Sequence, residues 1–230
     1  MTDVRATLAA ARERIADAAG VVGRDPAEID LLLAVKTQPV AAMRAAISAG
    51  GHLLGHNRVQ EMAASGPELA DLPHEMHLIG HLQSNKVRAA LAWATCVQTV
   101  DDEALAVRLD RVAGDLGRSL DVFVQVNTSG ETTKSGTTPE EAHGLARRIG
   151  ALPSLRLRGF MTIGANSTDV DVVRASYASL ARVRDDVVAS GDEGTGLARE
   201  LSMGMSGDLE IAVAAGATMV RLGTAVFGAR

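Results

Sequence analysis

The chain is short of cysteine, aromatics and lysine, and each shortage closes off a class of protein. Cys96 is the single cysteine in 230 residues, so no internal disulfide can form and a reducing compartment is expected. Set in Thr95-Cys96-Val97, it reads as a small buried hydrophobe. Aromatics make up 2% of the residues, leaving few platforms on which nucleic-acid bases could stack. The net charge is -5 with no basic cluster, so neither a nucleic acid nor an anionic membrane surface is an expected partner. No uninterrupted apolar run approaches the ~18 residues that a membrane-spanning helix needs. The N-terminal segment, with Asp3, Arg5, Arg12, Glu13 and Arg14, has the pattern of an amphipathic helix rather than of a signal peptide. The expectation is a cytoplasmic monomer that handles a small molecule.

What is present is an aliphatic, alternating chain. The hydrophobic share is 47%, so the core must be built from Ala, Val, Leu, Ile and Met. The length suits one large α/β domain, residues 1–230. Residues 3–20 place Val4, Leu8, Ala11, Ile15 and Ala18 at helical spacing, with Gly20 as the expected cap. Strand-like runs then appear at 30–35, 52–54, 75–79, 96–100, 121–126, 155–161, 199–201 and 218–222. Helical patterns lie between them, near 40–49, 57–70, 83–92, 102–116, 139–150, 169–190 and 206–215. Thr138, Pro139 and Glu141 form a capping box that marks one helix start. Ser190 to Gly196 reads as a mobile surface loop. Eight strands alternating with helices predict a closed (β/α)8 TIM barrel with an extra N-terminal helix. An open doubly wound sheet would call for a glycine fingerprint after the first strand, where Lys36-Thr37-Gln38-Pro39 stands instead.

In such barrels chemistry collects at the C-terminal ends of the strands. Polar residues gather there: Lys36, His56 and Asn57, His81 and Gln83, Asp101, Asn127, Ser202 and Ser206, and Arg221 to Thr224. Lys36 is conspicuous because the chain has three lysines, Lys36, Lys86 and Lys134, among 23 basic residues. Where charge alone is needed this chain uses arginine. A lysine, unlike an arginine, can lose its proton when desolvated and attack a carbonyl as a neutral amine. Lys36 is therefore a candidate Schiff-base residue, the alternative being a lysine that snorkels from a strand end. The two last loops, Ser202-Met203-Gly204-Met205-Ser206-Gly207 and Arg221-Leu222-Gly223-Thr224, stand where barrels of this kind hold phosphate on backbone amides. Ser206 could equally cap the helix expected near Asp208. Together, an amine and two phosphate loops suggest a phosphorylated aldehyde cofactor.

The segments LLAVKTQP, GHNRVQE, HLIGHLQSNKVR, VQVNTSGETTKSG, LRLRGFMTIG and LSMGMSGDLEIAVAAGATMVRLGTAVFGAR resemble the pyridoxal phosphate homeostasis protein family over nearly the whole chain. The resemblance implies the barrel found at the N-terminus of alanine racemase, holding pyridoxal 5'-phosphate (PLP). It implies that Lys36 bonds the cofactor and that Ser206, Gly223 and Thr224 hold the phosphate. It further implies that Ser202 and Met203 line that loop, that Arg221 faces the pyridine nitrogen, and that Asn57 lies beside the ring. Two positions depart from the family pattern: Val35 adjoins Lys36 without the polar residue common between them, and His56 stands where many relatives carry glutamate. A compensating bulge in the first strand is the expected consequence.

An arginine against the pyridine nitrogen disfavours its protonation and weakens the ring as an electron sink. No second domain is expected after Arg230, and Tyr177, the single tyrosine, is expected to pack in a helix. The leading expectation is a carrier that binds PLP through Lys36 and buffers it or delivers it to apo-enzymes. The alternative is a slow amino-acid racemase using Lys36 and a residue such as His81. A metal-dependent hydrolase built on His52, His56, His74, His77 and His81 lacks a carboxylate at ligand spacing. Lys134 is expected in a loop, either solvated or as a second landing point for the aldehyde, and Lys86 at the start of a helix.

Overall fold

A computed structural model describes residues 3–131 and 133–228 of the chain. Eight parallel strands close on themselves in sequence order, β1 pairing with β8. They are β1 (Asp30–Ala34), β2 (Leu53–His56), β3 (Glu75–Leu78), β4 (Cys96–Val100), β5 (Leu120–Gln125), β6 (Leu155–Met161), β7 (Glu200–Ser202) and β8 (Met219–Leu222). Ahead of them runs α1 (Val4–Val21); between them lie α2 (Val40–Ser48), α3 (Val59–Leu69), α4 (Val87–Leu91), α5 (Glu103–Asp115), α6 (Pro139–Gly150), α7 (Val170–Ser190) and α8 (Leu209–Ala214), and α9 (Thr224–Phe227) follows β8. The architecture is the barrel that the alternation predicted.

The strands have two apolar faces, as parallel sheets covered by helices do. Leu32, Leu53, Cys96, Phe123, Met161 and Met219 fill the barrel interior. A larger cluster that includes Leu33, Val35, Leu54, Val97 and Leu201 packs outward against the helices. Gly55 makes room inside: a Cβ there would lie 2.2 Å from Leu32 Cδ2. Cys96 sits in that interior as expected, its thiol pushed well above its ordinary range by burial.

Three local expectations are corrected. The first strand has no bulge: β1 pairs in unbroken register with β2 and β8, and register shifts fall instead between Val97 and Val100 and between Val122 and Phe123. Helix α1 runs past Gly20 to Val21, and the left-handed residue that ends it is Gly23, with Arg24 N–H donating back to Ala19 O at 3.0 Å. Ser206 does not cap α8, because the preceding residue is Asp208 and the intervening turn places Ser206 outside the helix. The 190–196 segment lies mostly at the surface, as expected, and is anchored there by Thr195, which is fully buried and donates to Asp192 O at 2.7 Å. The capping box does form, with Glu141 N–H donating to Thr138 Oγ1 and Thr138 N–H donating to the Glu141 carboxylate.

Candidate functional site

Side chains alternate along a strand, and that alternation decides which loop residues reach the barrel axis. On β1, Leu32 faces inward while Leu33 and Val35 face the helices; Lys36 continues the inward phase just past the strand. Its side chain is exposed and lines a cavity of about 400 Å³ at the C-terminal mouth. The amine thus stands in water, so any desolvation must come from what it binds. Thr37, directly after it, has φ 60, a left-handed conformation that strains a β-branched residue in the short turn between β1 and α2.

The same cavity is lined by Asn57, Ser206, Arg221, Gly223 and Thr224, so six of the eight predicted site residues come together. Arg221 is 6% exposed and burial lowers its affinity for its proton. Its Nη1 donates to Ser202 O at 2.6 Å and to Ser202 Oγ at 2.9 Å, and its Nη2 donates to Thr162 O at 2.7 Å. Asn57 Oδ1 is buried without a hydrogen-bond partner among the described residues. Gly80 explains how Asn57 is held, since a Cβ at Gly80 would fall 2.0 Å from Asn57 O. Gly223 is similarly close to β1, its Cβ position lying 3.1 Å from Ala34 O.

Two predicted residues lie elsewhere. Ser202 sits one layer below the mouth, where it supports Arg221. Met203 is fully buried in the outer core, because it follows the inward Ser202 and so faces the helices; Met205 lines the mouth in its place.

Sequence reading missed what steadies the Met205–Gly207 turn. Tyr177 is fully buried, but its hydroxyl also donates to Asp208 Oδ2 at 2.8 Å, while Asp208 Oδ1 accepts from Met205 N at 2.6 Å. Burial, with the Asp208 carboxylate beside it, raises the Tyr177 pKa. From α1, Arg14 Nη1 donates to Ser206 O at 2.8 Å and pairs with Glu210. The only sequence hint was a tyrosine and an arginine whose helices face these loops.

The histidines diverge. His56 is fully buried toward the helices, both ring nitrogens lack partners among the described residues, and burial lowers its pKa to about 4. His81 is exposed and is not among the residues that line this cavity. Among the described residues no group of three or more His, Cys, Asp or Glu is placed to hold a metal. Lys134 is tied rather than solvated, donating to Glu131 Oε1 at 2.6 Å and to Gly164 O at 2.7 Å. Lys86 ends a short 3-10 turn, Ser84–Lys86, ahead of α4.

The chain as a whole is similar to known proteins. The family model described as alanine racemase, N-terminal domain, matches residues 7–230. The pyridoxal phosphate homeostasis protein of Pseudomonas aeruginosa is 44% identical over 230 residues, covering 100% of this chain and 97% of that one. The chain belongs to the pyridoxal phosphate homeostasis protein family. Among solved structures, a Bifidobacterium adolescentis protein described as unknown has a TM-score of 0.93 at 39% identity, covering 98% of this chain and 94% of that one. PipY of Synechococcus elongatus, solved with PLP bound, has a TM-score of 0.80 at 37% identity, covering 93% of this chain and 100% of that one.

The residues present fit PLP. An orphan acceptor at Asn57, hydroxyls of Ser206 and Thr224 that make no hydrogen bond among the described residues, and the unbonded first amides of α9 leave donors and acceptors for a flat, anionic ligand.

Proposed function

We propose that this chain binds PLP reversibly, with Lys36 as the covalent anchor, and serves intracellular PLP homeostasis by buffering or delivering the cofactor. The observation that carries the proposal is the cavity at the mouth, where Lys36, Arg221, Ser206 and Thr224 open onto one space of about 400 Å³. PLP supplies an aldehyde for an amine, a ring nitrogen that can accept a hydrogen bond, and a phosphate for a backbone cradle. Here Lys36 offers the amine, and Arg221 offers a donor-only cation that keeps an opposing nitrogen unprotonated. Ser206, Gly223 and Thr224 hold the phosphate, with Asn57 beside the ring. Membership of a family whose curated members are called pyridoxal phosphate homeostasis proteins supports the role.

The proposal extends to a cytoplasmic monomer that hands PLP to apo-enzymes. Among the described residues no helix is long and apolar enough to cross a membrane. Racemisation would require a second acid or base beside Lys36, and His81 is not among the residues that line the cavity.

The test is reconstitution. Purified protein incubated with PLP should gain visible absorption that survives dialysis, and borohydride should lock the added mass onto Lys36. Retention of that absorption by Lys36→Ala, or its absence from the wild type, sinks the proposal. Rapid Lys36-dependent loss of the alanine α-proton into deuterated water would instead establish the racemase.

A further inference from the structure

The interior of this barrel carries a line of polar groups that the binding of PLP does not by itself require. Gln98 on β4 and Ser202 on β7 are both fully buried, and His77 on β3 is 4% exposed. From the mouth downward, Arg221 Nη1 donates to Ser202 Oγ at 2.9 Å, and Ser202 Oγ donates to Gln98 Oε1 at 2.7 Å. The Gln98 amide then lies 2.8 Å from His77 Nδ1 and 3.1 Å from Met219 Sδ. His77 Nε2 faces Glu75 Oε2 at 3.6 Å, at the opposite end of the barrel.

The bond directions follow from two groups that have no choice of role, the guanidinium at one end and the thioether at the other. A guanidinium can only donate, so Ser202 Oγ accepts from Arg221 and spends its one proton on Gln98 Oε1. At the other side of the amide, a thioether sulfur can only accept, so the NH2 group must face Met219 and His77. His77 Nδ1 is then an acceptor, and the ring proton sits on Nε2, toward Glu75. His77, facing it at 3.6 Å, in turn holds the Glu75 carboxyl below its ordinary range. Turning the amide over would set Oε1 against the Met219 sulfur, leave the serine proton without a partner and require the opposite, Nδ1–H, tautomer of His77. Buried amides and hydroxyls are costly unless satisfied in this way, and an apolar filling would serve packing equally well.

We propose that Gln98, acting through Ser202 and locked by the Nε2–H tautomer of His77, is a positioning residue that fixes the Arg221 guanidinium so that its remaining N–H groups face the mouth. As far as it concerns the ring nitrogen of PLP, the inference rests on the function proposed above; as far as it concerns the chain of bonds, it stands on the unliganded protein. The serine hydroxyl fixes one edge of the guanidinium and Thr162 O fixes Nη2, so loss of Gln98 leaves the serine proton without its acceptor and frees the hydroxyl to turn its lone pair away from Arg221.

The first test uses apo protein: long-range 15N–1H spectra of the imidazoles, with His77 assigned through His77→Asn, should show the Nε2–H tautomer. An Nδ1–H tautomer overturns the chain. The second uses PLP-loaded Gln98→Met, which keeps length and removes the amide. It should release PLP roughly tenfold faster, as for loss of a hydrogen bond supporting a charged group, and its visible band should titrate at a different pH from wild type. A folded Gln98→Met with wild-type release and an unmoved titration overturns the inference even if its melting temperature falls, since a purely structural role would move only the latter. Should Gln98→Met fail to fold, Ser202→Ala is read by the same two measurements. If wild-type protein takes up no PLP at Lys36, the proposed function fails, while the His77 tautomer still decides the chain.

Discussion

His56 gives the sharpest stability prediction. It is fully buried at the end of β2, has no partner for either ring nitrogen among the described residues, and titrates near pH 4 instead of its ordinary 6.5 because burial disfavours the imidazolium. His74 adds a smaller repulsion. In the unfolded chain the ring takes its proton as pH falls through 6.5; in the folded chain it resists until about pH 4. Acid therefore favours the unfolded state across that window, and the penalty is complete only below it. A shift of this size corresponds to about 3 kcal/mol in full, of which about 2 kcal/mol is felt by pH 5. His56→Leu, close in volume, removes both the titration and the unpartnered polar atoms, so it should be the more stable protein by about 1 kcal/mol at pH 7.5. The gap between variant and wild type should then widen by about 2 kcal/mol at pH 5. Urea melts at pH 7.5, 6 and 5 measure it directly. A gap that stays constant over this range refutes the reasoning, because it means that the imidazole either finds a partner or is protonated equally in both states.

Three further outcomes are expected. Tyr177→Phe removes the donor to Asp208, and should cost about 1 kcal/mol of stability and speed PLP release by loosening the Met205–Gly207 turn; unchanged release in a folded variant denies the turn that role. Arg14→Ala breaks an exposed pair worth little by itself, so the urea midpoint should barely move while PLP affinity drops through the freed Ser206 carbonyl; equal affinity by dialysis goes against it. Gly80→Ala would drive a Cβ to 2.0 Å from Asn57 O, and backbone must move to admit it, so a loss of about 2 kcal/mol or more together with weaker PLP binding is expected in thermal melts and titrations; a variant with the wild-type Tm refutes the close approach of the β2–α3 turn to Gly80.

Much of this was legible in the sequence. Eight apolar runs, each short and followed by a helical period, impose strands buried on both faces and helices outside them, so the barrel follows from pattern. The period of two also sets the phase of Lys36: it is in step with Leu32 and out of step with Leu33 and Val35, so its inward direction needed no bulge. The Thr138 capping box is likewise local chemistry. The same alternation, applied strictly, would have turned Met203 outward, where the family resemblance placed it in the phosphate loop.

Tertiary structure decided everything that depends on which strand lies opposite which across the barrel. Arg221, Ser202, Gln98 and His77 are far apart in the chain, and become neighbours because closure and register set four strands at matching heights around one axis. Tyr177 finds Asp208, and Arg14 finds Ser206, for the same reason. His56 looked like a strand-end polar group, and the fold sealed it away from water and, among the described residues, from any partner. Periodicity names the face on which a side chain stands; its partner is fixed by the stagger of the closed sheet, a collective property that no single segment of sequence encodes.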